Sequence, residues 1–240
     1  MMASPLVIYP ELTAVVAPML FGPVEYYAAV ARYGATVIDR DLRYDKRNKA
    51  VHRYDIADTR GRLTLTVPVS KPATEREGQR LWADMQVSAH GRWWEVHATA
   101  LESAYGRTPY FEHYFPKFEA LFAARPLAEP EGVVDLCLRA DAIVREILGI
   151  PAPILGDVSN AVGTRHGAST EAEHSLNTDG GIEYYHSLGG RTMARPYEPS
   201  DEIAPIKYHQ VRQAELGFIA GLSVLDLIFN VGPEAPLFLR

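Results

Sequence analysis

The sequence predicts an α/β protein, in which an N-terminal βαβ unit opens a small, mostly parallel sheet and helices from residue 92 onward pack on it. An α+β arrangement is the alternative. First, an apolar run at 12–17, a Gly/Pro-bearing loop, a helical periodicity and a second apolar run at 36–39 follow one another, which is typical of a parallel pair. Second, residues 63–69 alternate Leu and Val with Thr, as a half-buried strand does. Third, helical periodicity dominates after residue 92.

The opening elements are bounded by proline and glycine. Pro18 ends the first apolar run, and Pro23 suits a first helical position because its missing N–H needs no partner there. Residues 24–33 carry apolar and tyrosine side chains at helical spacing, with Gly34 placed to follow the helix end. The sequence therefore predicts a helix at 24–33 between the first two strands.

Three further helices are predicted at 92–105, 111–124 and 133–148. The third is the clearest, because its apolar residues recur on one helical face and Gly149 follows its end. A short strand is predicted at 85–87. No element is predicted at 40–61, which is polar and charged.

The C-terminal helix is predicted at 224–230. Ser223 and Asp226 form an S-x-x-D pattern close to a capping box, and both are predicted to cap this helix. The length of 240 residues fits a single domain over 1–240. Residues 156–192 are rich in Gly, Ser, Thr and Asn, and we expect a mobile insertion or a lid over a site there.

Composition excludes several functional classes. The net charge of −6 argues against nucleic-acid binding through a basic surface, and no apolar run approaches the length of a membrane span. The single cysteine, Cys137, cannot form an intrachain disulfide, and the N-terminus does not resemble a signal peptide. We expect a cytoplasmic protein whose partner is a small-molecule substrate.

The densest chemical signal is the aromatic helix predicted at 92–105. Trp93, His97 and Tyr105 lie at multiples of four residues, so they share one helix face. His97 is predicted as a general base, with Tyr105 as a second catalytic residue, while Trp93 and Arg107 contact the substrate. The alternative is a buried histidine that bonds a backbone carbonyl, with the aromatic rings as core.

A basic stretch follows the second predicted strand. Lys46, Arg47 and Arg53 are predicted to clamp a phosphate or carboxylate near the amino end of the first helix, and the alternative is a solvated face. Asp39 and Asp41 form a D-x-D pattern that suits a divalent metal, although surface charge explains it as well. No phosphate-binding or dinucleotide-binding glycine motif occurs, and no cofactor is identified.

Four blocks of the sequence resemble the WbqC-like family. They are VVAPMLFGPVEYYAAV at 15–30, LTLTVPV at 63–69, WWEVHATALESAYGRTPYFEHY at 93–114 and LGFIAGLSVLDLIFNVGPEA at 216–235. The third block is the most specific, because members share its W…H…L…Y…P-F…Y pattern. The resemblance covers most of the chain except 156–192.

The resemblance implies a function and matches individual residues. Some members are linked to O-antigen and other bacterial surface-polysaccharide synthesis, which implies a transferase that moves an acyl or amino-acyl group to an amino sugar or similar amine. Lys46, Arg47 and Arg53 match the family's basic stretch, although D-K-R-N-K replaces its longer K-x-x-x-R-N-R form. His97 and Tyr105 match its helix histidine and following tyrosine. A non-catalytic accessory protein and a metal-dependent sugar-nucleotide enzyme remain the alternatives.

Overall fold

The computed structural model describes residues 9–46, 48–71, 80–88, 90–122, 131–154, 173–176, 182–188, 191–195 and 205–239. These ranges contain strands β1 (Tyr9–Val16), β2 (Tyr33–Ile38), β3 (Arg53–Asp58), β4 (Gly61–Thr66), β5 (Val69–Ser70), β6 (Gln86–Val87), β7 (Glu173–Leu176), β8 (Ile182–Leu188) and β9 (Arg191–Arg195). They also contain helices α1 (Val24–Val30), α2 (Trp93–Tyr105), α3 (Phe111–Phe118), α4 (Val133–Leu148), α5 (Gln213–Leu216) and α6 (Val224–Val231). The predicted α/β class is confirmed.

The predicted βαβ opening is present. β1 and β2 pair in parallel, with Val15 opposite Val37, and α1 connects them. The helix is shorter than predicted and ends at Val30, because β2 already begins at Tyr33 and takes up the residues assigned to the helix end.

The largest sheet has the strand order β2-β1-β7-β8-β9. β1 also pairs in parallel with β7, whereas the pairs β7–β8 and β8–β9 are antiparallel, so the sheet is mixed. Strands β7 and β8 and the first two residues of β9 fall inside the predicted insertion at 156–192, whose remaining residues lie outside the described ranges. Its predicted mobility and its closure over a site stay predictions.

An antiparallel hairpin of β3 and β4 was not anticipated in full, because its first strand lies in the polar stretch at 40–61. Its register pairs Arg53 with Thr66 and Asp55 with Thr64. Successive side chains of a strand leave opposite faces. Arg53 and Asp55 therefore share one face, and the buried Tyr54 shares the other with the buried Ile56.

The helical half of the molecule confirms most of its predicted boundaries. The helices predicted at 92–105 and 133–148 are α2 and α4, and the one predicted at 111–124 is the shorter α3 with a 3-10 turn after it. Among the helices that the structure describes, none has the length and apolarity needed to cross a bilayer.

Helix α6 is the centre of the core, and all eight of its residues are buried. The ring of Phe229 lies 5.3 Å from that of Tyr105 and 5.1 Å from that of Phe111. Ser223 caps the helix as predicted, since its hydroxyl accepts a hydrogen bond from the N–H of Leu225 at 3.2 Å. The capping role predicted for Asp226 is wrong, because the N–H of Ser223 bonds the carbonyl of Asp55 instead, and the carboxylate of Asp226 has another partner, described below.

The start of α6 is tied to two other elements. The N–H of Ser223 bonds the carbonyl of Asp55 on β3, and Ser223 also forms an isolated bridge with Pro23 before α1. The β1–α1 loop, the β3–β4 hairpin and the chain before α6 therefore meet at one place. Because backbone bonds hold all three, the surface between them is preorganised.

Candidate functional site

A cavity of about 320 Å³ opens where these three segments meet. The residues that line it are Phe21, Gly22, Pro23, Lys49, Ala50, Arg53, Tyr54, Asp55, Thr64, Gly221 and Ser223. Small-molecule sites span about 300–1,000 Å³ and combine apolar walls with a few polar groups. Size and lining therefore both suit a small ligand.

The β1–α1 loop forms the apolar side of the cavity around a strained residue. Phe21 has φ +49°, in the left-handed region where non-glycine residues are uncommon. Its ring is buried 5.0 Å from that of Tyr54 and 5.7 Å from that of Phe118, so core packing holds the backbone in place. Strained backbone that is overdetermined by its surroundings clusters at functional sites.

Two cations at the cavity have no anionic partner within the part of the chain that the structure describes. Lys49 is exposed, whereas Arg53 is half-buried and its Nε is buried without a hydrogen-bond partner. A buried donor left unsatisfied costs about 1–3 kcal/mol. An anion bound here could accept a hydrogen bond from this guanidinium.

The acidic residue of the cavity is already compensated. Oδ2 of Asp55 accepts from Arg62 at 2.6 Å, and Oδ1 accepts from the hydroxyl of Thr64 at 2.6 Å. Arg62 also donates to the carbonyls of Ala220 and Gly221, at 2.5 and 3.3 Å. The ion pair thus offsets the negative charge of Asp55 and fastens the chain before α6 to the hairpin.

His97 lies on the other side of the hairpin. Nε2 of His97 is 3.2 Å from the carbonyl of Thr66, which can only accept, so Nε2 carries the proton. Nδ1 then accepts from the hydroxyl of Tyr54 at 3.1 Å. Burial lowers the pKa of His97 to about 4, with the bond to Thr66 opposing that shift. His97 contacts Tyr54, which lines the cavity but whose side chain leaves β3 on the face opposite to that of Arg53. His97 thus lies behind a cavity residue and does not itself line the cavity.

Tyr105 and Trp93 also lie in the interior. The hydroxyl of Tyr105 accepts from the N–H of Ala57 at 3.0 Å, and the ring of Trp93 packs edge-on at 5.2 Å from that of His97. Neither lines the 320 Å³ cavity. The geometry gives both residues structural contacts, and their predicted roles toward a substrate stay predictions.

Tyr105 borders a second cavity of about 10 Å³, which has room for one water molecule at most. Asp226 lines it too, and its Oδ2 accepts from the hydroxyl of Tyr208 at 2.7 Å. Burial raises the pKa of Asp226, although the hydrogen bond from Tyr208 opposes the rise. The size of this cavity excludes a substrate, so the cluster belongs to the core.

The basic residues predicted to clamp an anion are only partly brought together. Arg53 lines the large cavity, whereas Lys46 and Arg107 are exposed and lie outside its lining, and Arg47 falls outside the described residues. The amino end of α1 is not a free anion site, because the N–H of Val24 bonds the carbonyl of Leu222 at 3.4 Å.

Lys49, Asp55 and Thr64 belong to the site but were missed by sequence reasoning. One signal for β3 was present, since R-Y-D-I-A-D at 53–58 alternates polar with apolar residues over its first four positions. That alternation places Arg53 and Asp55 on one face. Lys49 ends the basic stretch D-K-R-N-K at 45–49, but the sequence does not show which cation of that stretch reaches the cavity.

The D-x-D pattern forms a local turn. Oδ1 of Asp39 accepts from the backbone N–H of Asp41 at 3.0 Å. Among the described residues, no group of three or more His, Cys, Asp or Glu side chains is arranged to hold a metal ion. The structure therefore offers no support for the metal-dependent alternative in the ranges it describes.

Fold and site together define a mixed α/β protein with a cavity that two cations line, between the β1–α1 loop, the β3–β4 hairpin and the chain before α6. The chain belongs to the WbqC-like protein family, whose model matches residues 17–237. The match includes every residue that lines the cavity. No curated protein and no solved structure matched the chain.

Proposed function

We propose that this WbqC-like protein is a transferase that holds an anionic small molecule in the 320 Å³ cavity. The group transferred is an acyl or amino-acyl group, and the acceptor is an amino sugar or a similar amine. The proposal includes a cytoplasmic location and a role in surface-polysaccharide or small-molecule biosynthesis. The observation that carries the binding step is the half-buried, unpaired guanidinium of Arg53 beside Lys49.

The residues divide into binding and supporting roles. Arg53 and Lys49 bind the anion, because an arginine fork and a lysine ammonium together offer several donors to negatively charged oxygens. Asp55 and Arg62 hold the hairpin against the chain before α6. His97 supports the hairpin from behind, through Tyr54 and the carbonyl of Thr66.

The transfer balances in a single exchange. The amine nitrogen forms a bond to the acyl carbon, the bond from that carbon to its leaving group breaks, and the proton lost by the amine passes to the leaving group. Bringing the two reactants together supplies much of the acceleration in such reactions. A cavity that fixes one reactant through its anionic end provides that positioning.

A non-catalytic binding protein is the second candidate, and one observation favours it. The cavity lining contains no histidine, and its one carboxylate, Asp55, has both oxygens hydrogen-bonded. A general base normally lies within hydrogen-bond reach of the proton that it removes. Binding without turnover would agree with this lining, whereas turnover would require the substrate or its leaving group to supply the base.

The first experiment is a thermal-shift panel on the full chain with acyl-CoA, nucleotide diphosphates, sugar nucleotides and amino acids. A ligand at 100 times its dissociation constant stabilises a protein by about 2.7 kcal/mol. We expect a stabilising ligand whose effect is lost in Arg53→Gln and kept in Lys46→Gln, the matched change of an exposed cation outside the cavity. No stabilisation across the panel would contradict the proposed site.

A second measurement separates the two candidates. The chain is incubated with the stabilising donor and an amino sugar, and the acceptor is analysed by mass spectrometry. A mass increase equal to the acyl group, abolished in Arg53→Gln, supports the transferase. Tight binding with no product over a range of amine acceptors would favour the non-catalytic binding protein.

A further inference from the structure

We infer that the ligand of this cavity carries a phosphomonoester, whose phosphate bridges the guanidinium of Arg53 and the ammonium of Lys49. This assignment rests on the proposed function of the cavity as the substrate site. It narrows the proposed ligand from any anionic small molecule to one that carries a doubly charged group.

The first support is the balance of charge at the cavity. Its lining contains two cations, Lys49 and Arg53, and one acid, Asp55. The acid is paired with Arg62 at 2.6 Å, just outside the lining. Two positive charges therefore remain uncompensated in the described part of the site. A phosphomonoester carries about 1.5 to 2 negative charges near neutral pH, whereas a carboxylate carries one.

The second support is the number and type of donors. The guanidinium of Arg53 is planar and suits two oxygens at once, and its Nε has no partner within the described residues. Lys49 is a compact point charge on a flexible stem. A carboxylate has two oxygens, and a bidentate arginine engages both, so the ammonium would have to share an oxygen with it. A phosphate has a third oxygen, which the ammonium can bind.

The third support is the mixed lining of the cavity. The lining combines the apolar residues Phe21, Pro23 and Ala50 with the charged residues Lys49, Arg53 and Asp55. A volume of about 320 Å³ exceeds what a phosphate alone requires. The phosphate therefore binds the two cations, and the organic part of the substrate contacts the apolar residues of the lining.

Arg62 controls this preference without lining the cavity. It neutralises Asp55, whose carboxylate would otherwise repel a dianion at the same wall. Arg62→Gln leaves both phosphate-binding cations in place but removes the compensation. We expect this variant to lose more affinity for a dianion than for a monoanion. A purely structural role of Arg62 would lower both affinities equally.

The test compares three small probes at constant ionic strength, by NMR titration of the full chain. Methyl phosphate is a dianion, while dimethyl phosphate and acetate are monoanions. We expect methyl phosphate to bind roughly tenfold more tightly than either monoanion, because one further charge-assisted hydrogen bond forms. Lys49→Gln should abolish this preference, and Arg53→Gln should weaken all three probes. Lys46→Gln is the control that should change nothing.

The outcomes separate this inference from the proposed function. If the monoanions bind as tightly as methyl phosphate and depend on Arg53, the phosphate assignment fails while an anion site remains. If no probe and no panel ligand depends on Arg53, the proposed site fails as well. Should Arg53→Gln not fold, Arg53→Lys replaces it, because it keeps the charge and removes the planar fork. With that variant, undiminished binding of methyl phosphate would overturn the assignment.

Discussion

The two faces of the β3–β4 hairpin differ in how far their polar groups are satisfied. On the buried face, Tyr54 donates to His97, and both ring nitrogens of that histidine are engaged. On the open face, Arg53 keeps a buried Nε without a partner within the described residues, although Asp55 on the same face is fully paired. On the buried face these polar groups are paired with one another, whereas on the open face one cationic donor has no partner among the described residues.

The contrast shows which signal marks a binding site. Buried polar groups in native structures nearly always have partners, so an unpaired one needs an explanation. The aromatic helix with His97 attracts attention in sequence because its residues are distinctive, yet its contacts form a closed network. The cation pair is less distinctive in sequence, but Nε of Arg53 is one of several buried polar atoms without a partner among the described residues, and it lies at a cavity.

Removing His97 should give the largest effect on the buried face. His97→Ala leaves the hydroxyl of Tyr54 and the carbonyl of Thr66 without partners and opens a cavity, at a cost of about 3 kcal/mol in the free energy of unfolding. Urea unfolding measures this cost. His113→Ala, on the exposed side of α3, should cost less than about 1 kcal/mol. Unchanged stability in His97→Ala would contradict the closed network.

Acidification should act through the same residue. The pKa of His97 is about 4 in the folded chain, whereas that of an unburied histidine is 6.5. The unfolded state therefore binds the proton more readily than the folded state does. The stabilising contribution of neutral His97 is complete above pH 6.5 and is lost as the pH falls toward 4, by about 3 kcal/mol.

Other buried groups also make the stability depend on pH, and their contribution cancels when the natural chain is compared with a variant that lacks His97. Burial raises the pKa of Asp141 and of Asp226, so their protonation increases the free energy of unfolding as the pH falls. Burial lowers the pKa of His52, so its protonation decreases the free energy of unfolding, as that of His97 does. The stability of the natural chain minus that of His97→Gln should therefore shrink by about 3 kcal/mol from pH 7 to pH 4. A difference that does not change with pH would be evidence against a buried neutral His97.

Removing one hydroxyl behind the hairpin should have a smaller effect. Tyr105→Phe leaves the N–H of Ala57 without an acceptor, which should cost about 2 kcal/mol. Tyr110→Phe removes a hydroxyl that has no hydrogen bond among the described residues, so it should cost less. Denaturant unfolding compares the two variants. If Tyr105→Phe instead abolished transfer without loss of stability, its predicted catalytic role would be supported.

The sequence predicts best those elements whose signals are local. Helix α4 has the predicted bounds because its periodicity is strong and Gly149 adopts φ +65° at its end, as a residue after a helix often does. Ser223 caps α6 for the same local reason. Strand β3 was missed because it is short and mixes the polar Arg53, Asp55 and Asp58 with only two large apolar side chains, those of Tyr54 and Ile56.

The site was predictable only in part, because it depends on packing between distant segments. Arg53 was selected by the basic stretch, yet its neighbours in space include Gly221, 168 positions further along the chain. Asp226 was assigned to a cap that its spacing from Ser223 allows, but the fold supplies the hydroxyl of Tyr208 at 2.7 Å. Such partners are fixed by tertiary contacts, which no local pattern records.

The smallest expected effects belong to the remaining predicted contacts, and they test where the cavity ends. Lys46 and Arg107 are exposed and lie outside its lining, so Lys46→Gln and Arg107→Gln should each change stability by less than about 0.5 kcal/mol. Neither should alter the affinity for methyl phosphate, whereas Lys49→Gln, three residues beyond Lys46, should. A loss of affinity in Lys46→Gln equal to that in Lys49→Gln would mean that the anion contacts the whole basic stretch. The open face would then extend beyond the hairpin, and its difference from the buried face would lie in net charge rather than in one unpaired guanidinium.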